Sequence, residues 1–127
     1  AITSFSGEVG LPYRTAYCAS KFAVTGFLEG LRAEMELLPG NSFDITIVCP
    51  PTINTNLRAS SLTTDQKLRD SKKGKATHMT VQEASLAIID AADRRLRKAF
   101  FPWQSWLVSY LRPLVPQFVD GMIHRRA

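Results

Sequence analysis

Phe43-Asp44-Ile45-Thr46-Ile47-Val48-Cys49-Pro50-Pro51 is a short run rich in β-branched residues and closed by two prolines. Branching at Cβ suits the pleated surface of a sheet, and proline cannot donate to a sheet ladder, so the run predicts a buried strand over 43–49. Upstream, residues 1–4 (Ala-Ile-Thr-Ser) look like the end of another strand, followed by a polar loop over 5–14 punctuated by Gly7, Gly10 and Pro12. From there to residue 38, Val24, Phe27, Leu28, Leu31, Met35 and Leu38 recur at steps of three and four, the spacing of one buried helical face. Pro39-Gly40-Asn41 stops that helix.

Downstream of the strand, residues 52–78 are polar and basic, with Lys67, Arg69, Lys72, Lys73 and Lys75 and little periodicity, and read as a loop. Thr80-Val81-Gln82-Glu83 is a capping box, in which the threonine oxygen and the glutamate carboxylate satisfy free N–H groups at a helix start. The helix it opens is expected to run to about Lys98, with Ala84, Ala87, Ile88, Ala91 and Leu96 facing the core. Its basic end, Arg94, Arg95, Arg97 and Lys98, suits the negative pole of the helix dipole. Ala99-Phe100-Phe101 is a candidate last strand before Pro102, and the aromatic and aliphatic remainder, broken by Pro113 and Pro116, suggests short amphipathic helices.

Strand, helix, strand, helix, strand implies parallel strands joined by right-handed helical crossovers, the doubly wound α/β class. Three strands make a small sheet for a class that covers both faces with helices, so the order also reads as the second half of a larger fold. Residues 1–102 are assigned to that half domain and 103–127 to a C-terminal amphipathic extension.

In 127 residues, 45% apolar and 21% charged content is that of a globular domain. Cys18 and Cys49 lie in apolar segments without paired spacing or a nearby histidine, which excludes a disulfide framework and a zinc site and leaves two buried thiols. No metal site is expected. The net charge of +5 is compatible with nucleic acid, anionic lipid or an anionic cofactor. Arginines at the end of the second helix account for much of it, and the stretch from Lys67 to Lys75 lacks the interleaved aromatics of a nucleic-acid surface, so no nucleic-acid partner is expected. No run of about 18 apolar residues that could span a bilayer occurs.

The chemistry concentrates near the start of the first helix. Tyr17 and Lys21 are four residues apart, one turn above the other on a single face. An ammonium beside a phenol favours its anionic form, which suits acid/base work. Ser4 ends the preceding strand, at the carboxyl edge where open α/β sheets place their ligands, and its hydroxyl could polarise a carbonyl oxygen. Thr3 and Ser6 are rival hydroxyls.

Ile2-Thr3-Ser4-Phe5-Ser6-Gly7, followed by Ala16-Tyr17-Cys18-Ala19-Ser20-Lys21-Phe22-Ala23-Val24, resembles the active-site stretch of the classical short-chain dehydrogenases/reductases: their serine, their Tyr-x-x-x-Lys motif and the spacing between them. The resemblance implies the C-terminal half of a Rossmann-type domain and hydride transfer between a nicotinamide cofactor, NADP or NAD, and an alcohol or carbonyl. It gives Tyr17 the hydroxyl proton, Lys21 the nicotinamide ribose and support of the tyrosine's anionic form, and Ser4 the substrate oxygen. After the second strand the family has Pro-Gly, an apolar residue whose backbone meets the nicotinamide amide, and a threonine near the cofactor phosphates. Pro50, Ile53 and Thr55 match that pattern, whereas Pro51 stands in place of the glycine and brings no N–H. The glycine-rich phosphate loop is not found among the glycines of this chain.

Phe100, Phe101, Trp103, Trp106 and Tyr110 lie beside Arg97, Lys98 and Arg112, a mixture that suits a membrane interface or, equally, a lid over a pocket or a partner surface. Tyr17-Cys18-Ala19-Ser20-Lys21-Phe22-Ala23, the segment 83–99 and Phe101-Pro102-Trp103 most resemble the 11-beta-hydroxysteroid dehydrogenase-like subgroup. That likeness implies a small lipophilic substrate such as a steroid, a preference for NADP, peripheral contact with the endoplasmic reticulum membrane and a homodimer in the full-length protein. A cytoplasmic enzyme is the alternative location, and a truncated or degenerate relative acting as an interaction or membrane-attachment module is the alternative function.

Overall fold

A computed structural model describes residues 1–40, 43–55 and 79–126. Its centre is strand β1, Ile47–Cys49, whose three residues are all buried. Strand β2, Lys98–Phe100, pairs with it in parallel, in the register Ile47 to Lys98, Val48 to Ala99 and Cys49 to Phe100. On its other side Ile2 forms a parallel bridge with Val48, Thr3 N–H donates to Val48 O at 2.8 Å, and Val48 N–H donates to Ala1 O at 2.9 Å. The first strand is thus present as a single bridge with flanking bonds, and β1 lies between it and β2.

Parallel neighbours require crossovers, and two helices supply them. Helix α1 is Thr15–Glu36 and helix α2 is Val81–Asp93. Successive residues of β1 point to opposite faces of the sheet. Ile47, Cys49 and Phe100 form one cluster with Leu28 of α1. Val48 and Ala99 form the other with Ala91 and Ile88 of α2. The helices therefore cover opposite faces, as the doubly wound class requires.

The expected elements are present with shifted ends. Only Ile47–Cys49 of the run 43–49 forms a ladder, because β2 begins at Lys98 and offers no partner to the residues before Ile47. Phe43 and Asp44 are exposed, and Asp44 pairs with Arg95 at 3.2 Å. Helix α1 ends at Glu36 rather than residue 38: Leu37 and Leu38 donate to Glu34 O and Met35 O, tightening the last turn before Pro39, which disfavours helical backbone in the residue ahead of it. Gly40 takes φ 72°, and Asn41 lies outside the described residues.

Helix α2 starts at its capping box, with Glu83 N–H donating to Thr80 Oγ1 at 3.2 Å and Thr80 N–H to Glu83 Oε2 at 2.8 Å. It ends five residues before Lys98, in a Schellman closure: Arg95 N–H donates to Ala92 O, Leu96 N–H donates to Ala91 O, and Arg95 occupies the left-handed region at φ 51°. The basic cluster is therefore a connection and a strand start, and Lys98 opens β2, which ends at Phe100 rather than Phe101.

The larger correction concerns α1. Its buried residues are Cys18, Thr25 and Arg32. Val24, Phe27 and Leu38 are 40%, 68% and 54% exposed while Leu28, Leu31 and Met35 are half-buried, so the centre of the apolar stripe lies roughly a quarter to a third of a turn from the packed face and only its near side, with Leu28, meets the core. Arg32 explains part of this: its guanidinium donates to Ile45 O at 2.7 Å and Arg97 O at 2.9 Å, tying α1 to the residues entering both strands. Beyond β2 the tail forms α3, Gln104–Leu111, and α4, Pro116–Arg126.

Candidate active site

Ser4 sits at the carboxyl end of the first strand segment with extended backbone, φ −170° and ψ 160°. Its Oγ accepts the Ser6 N–H at 3.1 Å and its carbonyl accepts the Gly7 N–H at 2.8 Å, capping a short helical turn over Phe5–Gly7. Of the three candidate hydroxyls it is the one not buried. Thr3 is turned into the sheet, donating to Val48 O at 3.2 Å and lying 3.3 Å from Cys49 Sγ, and Ser6 is 2% exposed.

The turn rests directly on α1. A Cβ on Gly7 would fall 2.9 Å from Thr25 Oγ1 and 3.0 Å from the Lys21 carbonyl oxygen, so only glycine permits this approach without displacement. The contact fixes the Ser4 turn against the stretch of helix that carries Lys21. Tyr17, 37% exposed in the first turn of α1, has the Lys21 ammonium 5.7 Å from its ring centroid, a cation–π arrangement across one helical turn. Ser20 Oγ donates to Tyr17 O at 2.8 Å. Tyr17 and Lys21 are therefore brought together. Ser4 is placed beside their helix through Gly7, and among the described residues no hydrogen bond joins Ser4 to either of them.

Pro50 is buried beyond β1, and its carbonyl accepts the Phe5 N–H at 3.1 Å, which draws the segment after β1 to the same sheet edge as the Ser4 turn. Ile53 is half-buried and forms a parallel bridge with Met79, while Thr55 is exposed. The basic loop from Lys67 to Lys75 lies outside the described residues.

Sequence reasoning missed a second polar cluster. Lys98 Nζ lies 3.1 Å from Glu8 Oε1 and 3.1 Å from Glu29 Oε1, joining the Ser4 loop, α1 and β2. The other carboxylate oxygen of Glu29 is held by Arg32 and, at 3.7 Å, by Arg97. Burial alone would raise the Glu29 carboxyl, but the Lys98 hydrogen bond and the charges of Lys98, Arg32 and Arg97 outweigh it and hold it below the usual range. Burial likewise works against the Lys98 ammonium, and its bonds to Glu29 and Glu8 overcome that and raise it. Cys49, against this cluster, is pushed up to about 11, chiefly by burial against the opposing Thr3 hydrogen bond, so it is an inert thiol. Glu29 and Arg32, three apart on α1, were the only local signal of the cluster, since Glu8 and Lys98 are 90 residues apart.

The tail exposes its aromatics. Trp103, Trp106, Tyr110 and Phe118 are 70%, 47%, 54% and 66% exposed, and the Trp106 and Tyr110 rings lie 5.0 Å apart. Among the described residues no helix is long and apolar enough to cross a membrane.

With this geometry in view, the chain can be set beside known proteins. The family model described as short chain dehydrogenase matches residues 1–66. A rat protein named dehydrogenase/reductase SDR family member 7B is 30% identical over 129 residues, covering all of this chain and 39% of the rat protein. A Dictyostelium discoideum protein named dehydrogenase/reductase SDR family protein 7-like is 32% identical over 126 residues, covering 99% of this chain and 38% of its own length. A Xenopus tropicalis protein named hydroxysteroid 11-beta-dehydrogenase 1-like is 31% identical over 124 residues, covering 98% of this chain and 40% of its own length. The chain thus spans about two fifths of the length of these curated relatives.

Proposed function

The chain belongs to the short-chain dehydrogenase family, and from that premise we propose that a polypeptide carrying it together with a dinucleotide-binding half is an NAD(P)-dependent oxidoreductase acting on an alcohol or carbonyl of an apolar substrate. The observation that carries the reading is the Tyr17–Lys21 pair, with the cation over the ring and the Ser4 turn seated on the same helix through Gly7. Lys21, a donor of three hydrogen bonds, suits the hydroxyls of a ribose, and the segment Pro50, Ile53, Thr55 leaves β1 at the same sheet edge, where ligands of open α/β sheets bind. A bound nicotinamide supplies the hydride or accepts it.

In the reducing direction the Ser4 hydroxyl donates a hydrogen bond to the carbonyl oxygen and orients it. As the carbonyl carbon gains hydride, its oxygen gains the proton of the Tyr17 hydroxyl. The phenolate left behind is stabilised by the Lys21 ammonium until a proton returns. In the oxidising direction the same proton passes from the alcohol to Tyr17 as hydride leaves the carbon. The test is turnover of such a polypeptide on a panel of apolar ketones, followed by loss of reduced-cofactor absorbance with NADPH and with NADH. Ketone-dependent oxidation of either is expected, and its absence across the panel would contradict the reading.

The exposed aromatics of α3 and α4 favour peripheral contact with a membrane surface, which would also deliver an apolar substrate. Rings with polar edges suit the headgroup layer.

A further inference from the structure

Lys98 opens β2, yet its side chain is only 16% exposed and its ammonium is shared between two carboxylates from different parts of the chain. Glu8 follows the turn that Ser4 caps. Glu29 lies on α1, eight residues beyond Lys21. Among the described residues Lys98 is the one cation paired with Glu8, whereas Glu29 also has Arg32 and Arg97 on its other oxygen. Removing Lys98 would thus free the loop side of the bridge and leave the helix side held.

We propose that Lys98 is a positioning residue for the reaction: by bridging Glu8 and Glu29 it clamps the Ser4 turn to the helix that carries Tyr17 and Lys21, and so sets where the Ser4 hydroxyl meets the substrate oxygen. The inference rests on the catalytic reading of Ser4 given above. The turn is seated on α1 where Gly7 meets Lys21 O and Thr25, and on the sheet through the Phe5 N–H bond to Pro50 O. Those ties lie at Phe5 and Gly7, and the Glu8 to Lys98 bridge adds a side-chain tie at the residue that closes the turn. Ser4 is coupled to that closing residue through the turn, which its own side chain and carbonyl cap. The bridge is well sheltered from solvent, with Glu8 15% exposed, so it is weakened by salt far less than a surface pair.

The experiment is a double-mutant cycle in the full enzyme, with Lys98→Met, Ser4→Ala and both together, reading kcat, substrate KM and cofactor Kd. Displacement of a hydrogen-bond donor by a fraction of an ångström to an ångström predicts a loss of kcat in Lys98→Met of roughly tenfold to a hundredfold, with cofactor Kd unchanged. In the Ser4→Ala background Lys98→Met is expected to cost nothing further, since the group it positions is gone. A purely structural role would instead multiply the two losses, and that result overturns the proposal, as does an unchanged kcat in Lys98→Met. Glu8→Gln, which keeps the side chain's shape and breaks the bridge from the loop side, must show the same non-additivity even if the lysine variant fails to fold. Full turnover in Ser4→Ala would overturn the reading of Ser4 itself, and with it this proposal, and so is distinguishable from failure of the clamp alone.

Discussion

The Ser4 turn and the C-terminal helices are both appended to the sheet, but they are attached in different ways. The turn is held by backbone bonds to β1 and Pro50, by a glycine pressed against α1 and by the sheltered Glu8–Lys98–Glu29 bridge. Helix α3 has no buried residue. The tail buries Val119 wholly, and the 2.8 Å pair of Arg112 with Asp120 joins its two helices to each other. Directional contacts with no spare volume fix position, whereas α3 and α4 keep most of their large side chains exposed. The difference separates a closely seated turn, which carries the Ser4 hydroxyl, from a part that presents aromatic surface.

Gly7→Ala strikes the first attachment where it is tightest. The added methyl must displace Thr25 Oγ1 or the Lys21 carbonyl, and a loss of about 1–3 kcal/mol is expected, the usual cost of overpacking. Denaturant unfolding measures it, and a change too small to detect would mean the turn is not pressed on α1. Trp106→Ala probes the second attachment and should cost no more than about 1.5 kcal/mol, the scale of its one ring contact with Tyr110. The same variant should weaken sedimentation with anionic phospholipid vesicles if the aromatic face meets a membrane. Unchanged sedimentation, or a large loss of stability, would place the tail's role elsewhere.

How much of this could be read from the sequence depends on how far apart the determinants lie. The capping box of Thr80 and Glu83 and the β-branched run ending at Pro50 are local signals, and both elements stand where they point. The end of α2 is hidden in the sequence because no glycine marks it: Arg95 takes the left-handed conformation in the place glycine usually fills, and basic residues look natural at a helix end. On α1 the apolar spacing identified a helix but not its packed face. That face is chosen by Gly7, Cys18, Thr25 and Arg32, through a close approach and hydrogen bonds to Ile45 and Arg97 that no periodicity records. One side of the apolar stripe, with Val24 and Phe27, is left open to solvent, while Leu28 on its other side packs against Ile47 and Phe100.

The candidate site divides along the same line. Tyr17 and Lys21 were legible because a four-residue spacing on a helix is itself a geometry, and the 5.7 Å cation–ring contact follows from it. Ser4 is the one of the three hydroxyls that is not buried, since Thr3 Oγ1 donates to Val48 O and the turn buries Ser6. The basic neighbours of Lys98 make it look like part of a helix end, whereas its two carboxylate partners come from the opposite end of the sequence and from α1.

The central claim is that Tyr17 carries the proton in a hydride-transfer reaction, and Tyr17→Phe in the full enzyme tests it most directly, with turnover and cofactor Kd measured side by side. The substitution keeps the ring under the Lys21 ammonium and removes only the hydroxyl. Turnover is expected to fall by roughly a hundredfold or more, the scale of a lost general acid, with cofactor binding largely intact. Turnover within about twofold of the unsubstituted enzyme would contradict the claim, because a general acid worth even a hundredfold could not be removed so cheaply.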